Sequence, residues 1–113
     1  MSIPFIAQVA AAAIEVATDP TLAGAGKKAM STALQARFGD QHPLLIDEHL
    51  DYALLLIRSA EASATQVRSG SISRDDAWSE LRRGYGSFAG ESVDRALSYG
   101  LQMTAGSSPW TFL

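Results

Sequence analysis

Apolar positions along this chain recur at three- and four-residue steps, and no segment alternates convincingly between apolar and polar. That is the periodicity of helices and not of strands. Phe5, Ile6, Val9, Ala13, Val16 and Ala17 form the first stripe, with Pro4 suited to an opening turn. The spacing predicts a helix that stops before Asp19. Asp19-Pro20 then reads as an N-cap followed by proline at the first helical position. It opens a second helix that runs toward Phe38 and ends at Gly39. Gly24 and Gly26 weaken the first turns of that helix by about 1 kcal/mol each relative to alanine.

The second helix carries an unusual face of Leu22, Ala25, Gly26, Ala29, Ala33 and Ala36. Small residues at these steps let a neighbouring helix come close. Two uses fit the pattern, tight packing inside the monomer or contact between subunits. On the second, Ala25, Ala29 and Ala33 are candidate interface residues.

A third helix starts at Pro43 and reaches toward Ser69. Ile46, Leu50, Ala53, Ile57, Ala60, Ala64 and Val67 make one stripe, and Leu45, Tyr52, Leu55 and Leu56 a second. A helix apolar on two faces belongs at the centre of a bundle. Uninterrupted, it spans about 40 Å, more than the ~30 Å width of a small domain. Its end is therefore expected to bend near residues 61–64 or to project from the body.

Gly70 ends the third helix. Ser73 with Asp76 three residues on is a capping-box variant that opens a short fourth helix. Ala77, Trp78, Leu81 and Tyr85 share its apolar face, which predicts Trp78 buried between the fourth helix and the third. The stretch GYGSFAG, residues 84–90, breaks the chain as a flexible joint, with Phe88 anchoring the next helix. That fifth helix turns Val93, Ala96, Leu97, Gly100, Leu101 and Thr104 inward and ends at Gly106. Five helices with short connections predict an all-α, single-domain bundle over residues 1–106 with a long central helix.

Residues 107–113, SSPWTFL, follow as an extended apolar arm. Pro109 cannot continue a helix and biases Ser108 to an extended backbone. Trp110, Phe112 and Leu113 stand directly behind it. Large aromatic residues carry interface energy when they fill a partner's pocket. Pro109, Trp110, Phe112 and Leu113 are therefore candidate contacts for a neighbouring protein. The competing expectation is that the arm folds back over its own bundle.

Composition narrows the classes. The 113 residues are 47% hydrophobic and 19% charged, which suits one globular domain. No cysteine is present, so disulfides and cysteine-ligated zinc are excluded. The net charge of −3 offers no basic footprint for nucleic acid or anionic lipid. The apolar N-terminal stretch lacks the positive segment of a secretory signal, since the first basic residue is Lys27. The longest strongly apolar run, residues 53–57, is far below the ~18 residues of a membrane span.

Several motifs point to chemistry and fail on context. GAGKKA, residues 24–29, lacks the spacing of a phosphate-binding P-loop, and a helix precedes it where a dinucleotide fingerprint needs a strand. Residues 84–93 are superficially similar to the glycine-rich loop of protein kinases, but the only lysines, Lys27 and Lys28, lie upstream. The fourth and fifth helices do not keep the register of a helix-turn-helix. Residues 40–51 gather Asp40, His42, Asp47, Glu48, His49 and Asp51. Asp47 and Asp51 share a helix face and are of the type that holds a divalent ion. Acids at a helix start also complement its dipole, and that is the preferred reading. No metal, no cofactor and no catalytic group is assigned.

These features favour a non-enzymatic assembly or adaptor subunit that works by protein contacts, as a homo-oligomer or with other partners. In architecture, a small helical subunit with a docking C-terminal arm resembles phage head-to-tail connector proteins. The expected place is the cytoplasm, with which the absence of cysteine is compatible, or an assembled particle such as a virion. Two alternatives stand beside it. One is a small regulatory or inhibitory binding protein with its arm folded on its own bundle. The other is a metal-dependent enzyme built on residues 40–51.

Overall fold

The computed structural model describes residues 5–39, 43–86 and 88–105. They form six helices: α1 (Phe5–Ala17), α2 (Pro20–Ala25), α3 (Lys27–Phe38), α4 (Pro43–Arg68), α5 (Arg74–Gly84) and α6 (Gly90–Ala105). No strand occurs among the described residues. The fold is all-α. The arm at 107–113, with Pro109, Trp110, Phe112 and Leu113, lies outside the described residues.

Local chemistry sets the boundaries. The Thr18 hydroxyl donates to the Ile14 carbonyl at 2.7 Å where α1 ends. The Asp19 carboxylate accepts from the Thr21 amide at 2.9 Å and from Leu22 at 3.4 Å, and so caps α2. The expected second helix is in fact two, because Gly26 takes a φ of 103° that ends α2 after six residues. α4 closes with Gly70 at φ 81°, its amide bonded to Val67 and the Ser71 amide to Gln66, a Schellman pattern. Ser73 caps α5 by accepting from the Asp76 amide at 3.1 Å.

α4 is one uninterrupted helix of 26 residues. The expected bend or projection is not needed, because the molecule is elongated, 49 × 30 × 20 Å, and the helix lies within its length. α4 packs on α1, α3, α5 and α6. Its first stripe is buried as predicted, from Ile46 through Ala64, with Val67 half-buried. Its second stripe divides: Leu56 is buried, whereas Tyr52 and Leu55 stay about half exposed. α1 is as enclosed as α4, with Val9, Ala10, Ala12, Ala13, Ile14, Val16 and Ala17 all buried. Its alanines permit burial on several sides at once, which a single-stripe reading does not show.

α6 runs along the C-terminal half of α4 through very small residues. A Cβ on Gly100 would lie 2.9 Å from the Ala60 carbonyl oxygen, so the two backbones touch there. Arg68, at the end of α4, donates to the Leu101 carbonyl and to the Thr104 hydroxyl, tying the end of α6 to the same end of α4. Between α5 and α6 the chain is tied to the bundle at Tyr85 and at Phe88. The Tyr85 hydroxyl shares a 2.6 Å hydrogen bond with Ser59 on α4, and Phe88 is 2% exposed.

Trp78 corrects an expectation. It is half-buried, and its ring edge faces Gly90 at the start of α6, where an added Cβ would lie 3.2 Å away. The hydrophobic pattern identifies its face of α5 correctly, but α6 supplies the glycine against which it rests. Trp78→Ala is therefore expected to cost about 2 kcal/mol, below the ~3–5 kcal/mol of a fully buried aromatic. Chemical denaturation of the variant checks the value.

Candidate functional site

The small-residue face predicted in the sequence is not covered by the described part of the bundle. α3 turns Met30 and Leu34 into the core. That rotation leaves Ala29 and Ala33 half-buried and Ala25 and Ala36 exposed. With Leu22, Lys28 and Thr32 they line a groove of about 590 Å³. Leu22 packs in part against the core, so the face is shared between the monomer's own packing and the solvent. The sequence reading missed Lys28 and Thr32. They stand one ridge over from Ala25, Ala29 and Ala33, at the four-residue step to Ala36, and a ridge-by-ridge reading of the helix would include them.

A polar seam holds α3 in this orientation. The Asp47 carboxylate accepts from the Ser31 hydroxyl at 2.5 Å and from the Gln35 amide at 3.1 Å. Lys27 pairs with Asp51 at 2.5 Å, both side chains more than half exposed. The acids of α4 thus have a different role from the one expected. None lies in the first turn of α4, and Asp47 and Asp51 fasten α3 instead of complementing a helix dipole. Glu48 accepts from the Tyr52 hydroxyl at 3.1 Å, and His49 Nδ1 lies 2.9 Å from the Leu45 carbonyl oxygen. Asp40 and His42 lie outside the described residues. Among the described residues no three His, Asp or Glu side chains converge on a point where a metal ion could sit.

The seam has a pH signature. A hydrogen bond and the charge of Asp51 raise the Lys27 ammonium above its ordinary value, and Glu48 raises the Tyr52 phenol in the same way. Both folded values are raised, so the stability they add is intact below the ordinary value and is lost as pH climbs through the raised one. Asp51→Asn should return the Lys27 titration, followed by NMR, to the ordinary lysine range. Asp47→Asn keeps an acceptor oxygen and should cost within about 1 kcal/mol, whereas Asp47→Ala strands two donors and should cost roughly 1–2 kcal/mol. Thermal melts of the pair distinguish a hydrogen-bonding seam from an inert surface.

A second, smaller hollow of about 220 Å³ lies among Thr18, Arg95, Ser98, Tyr99 and Gln102. Its polar groups serve the fold. Arg95 Nε donates to the Thr18 hydroxyl at 2.9 Å, and Arg74 donates to Ser98 and to Asp94. Among the described residues no helix is long and apolar enough to cross a membrane.

Comparison with known proteins finds no matching family model, no matching curated protein and no matching solved structure.

Proposed function

We propose that this chain is a non-enzymatic assembly or adaptor subunit that works through protein contacts, with Pro109, Trp110, Phe112 and Leu113 as its anchor. The observation that supports this most is the exposed groove on α2 and α3. It is lined by Leu22 and Ala25 on α2 and by Ala29, Ala33 and Ala36 on α3, mostly small residues that permit close approach. Among the described residues only those of α2 and α3 line it. The reading assigns no catalytic role to any residue. A place in the cytoplasm before assembly, and in a particle such as a virion after it, belongs to the same proposal and rests on architectural analogy.

Light scattering of the purified chain over a range of concentrations tests this reading. The expected result is a mass above that of the monomer, rising with concentration and falling when Trp110 and Phe112 are both replaced by serine. A mass indifferent to those substitutions would remove the arm from any role in assembly.

A further inference from the structure

We propose that the α2–α3 groove receives the C-terminal arm of a second copy of this chain, so that subunits join head to tail. The inference rests on the reading of the arm as an anchor. It adds the surface that takes the anchor and the identity of the partner.

Charge selects the groove over the exposed apolar side chains of α4. Leu44, Tyr52 and Leu55 stand exposed on α4, but Glu48 and Asp51 are interleaved with them, and Tyr52 already donates to Glu48. A segment laid there would take a carboxylate out of water, which is costly without a new partner. The groove is lined by one charged residue, Lys28, against four alanines and a leucine. Residues 106–113, GSSPWTFL, carry no charged side chain. An uncharged aromatic segment lies in such a groove without burying a carboxylate, and Lys28 is exposed, with a stem long enough to keep its ammonium in water. The groove is shallow and open to solvent, with about 590 Å³ of space.

Reach selects a second copy. Gly100 packs at Ala60, and Ser31 bonds Asp47, so these contacts lie about 20 Å apart along α4 at 1.5 Å per residue. α6 then runs on to Ala105 beside Arg68, about 7 Å further from α3. Trp110 lies at most ~18 Å of extended chain beyond Ala105, and Phe112 ~25 Å. Neither reaches the part of its own groove at Ala33 and Ala36. Its own arm reaches the end formed by Leu22, Ala25 and Lys28, since Thr18 is bonded to Arg95 on α6 and Lys27 is paired with Asp51, about 25 Å along α4 from Arg68; filling the groove on to Ala36 takes the arm of another copy. The arm of another copy has no such limit.

An arm and a groove are different surfaces, so each such contact between copies is heterologous. Such contacts repeat, and they close into a ring or continue as a filament. One arm in one groove is a small interface, below the ~1,200 Å² of a stable pair, so assembly should be concentration-dependent and cooperative on closure.

Two variants with complementary defects provide the test. One keeps the groove and carries Trp110→Ser with Phe112→Ser. The other keeps the arm and carries Ala33→Glu with Ala36→Glu, the second of these at an exposed position. Circular dichroism and melting establish that both are folded. A single Ala36→Glu variant serves if the pair disturbs α3. In sedimentation, each variant alone should stay a monomer where the unaltered chain assembles. Mixed, they should form a one-to-one pair that grows no further, because one arm and one groove have been used and the other two are defective. If the groove variant assembles like the unaltered chain while the arm variant does not, the arm is an anchor and the groove is not its receptor. If neither variant alters assembly, the anchor reading falls as well. A mixture that stays monomeric also overturns the proposal, and an arm variant that melts lower as a monomer would place the arm on its own bundle.

Discussion

Replacing Gly100 with valine is expected to lower the stability of the domain by about 3 kcal/mol, near the upper end of the usual cost of overpacking a core. For a chain of this size that is a drop of roughly 12–24 °C in melting temperature. The atoms that a side chain at 100 would meet are backbone: the Ala60 oxygen at 2.9 Å, the Ala60 carbonyl carbon at 3.0 Å and the Glu61 nitrogen at 3.1 Å. No rotamer change relieves such a contact. α4 and α6 would have to separate along the seam that Ala60, Ala64, Ala96 and Gly100 bury. Alanine at 100 gains about 1 kcal/mol of helix propensity and still meets the same atoms. A net loss for Gly100→Ala, measured by denaturant titration, would show that the close approach outweighs propensity.

Phe88→Ala should cost about 3–5 kcal/mol, the range for large aromatic truncations in cores. Phe88 is 2% exposed, although it lies between helices and not within one. Its amide donates to the Tyr85 carbonyl at 3.0 Å, and Tyr85 in turn holds α4 through Ser59 and Leu55. Losing the ring therefore opens a cavity at the point where α5, α6 and α4 are joined. The expected cost exceeds that of Trp78→Ala, the larger but half-buried aromatic. Equal costs would contradict the assigned burial of the two rings.

The helices were legible because their punctuation is local. Asp19-Pro20, Gly39, Gly70 and Ser73 each act within a few residues, and the structure uses each as a boundary. Gly26 was harder. A glycine inside a helical pattern is either tolerated or takes a positive φ, and sequence alone does not decide which. Trp78 shows the limit of periodicity, which assigns a face but not the helix that covers it. The same limit applies to Ala25, Ala29 and Ala33. Their spacing announces a close-approach surface, but whether Met30 and Leu34 or the alanines turn inward depends on the seam from Ser31 and Gln35 to Asp47. That seam joins residues 12 to 16 positions apart in sequence.

The central claim is that the bundle is complete without its C-terminal arm and that the arm acts on another molecule. A chain ending at Ser108, measured for both melting temperature and mass in solution, tests it most directly. The account predicts a melting temperature of the isolated domain within a degree or two of the full chain, about the effect of a few tenths of a kcal/mol. It predicts at the same time a fall in mass to the monomer. A truncated chain that melts several degrees lower while its mass is unchanged would contradict the account and make the arm part of the bundle's own core.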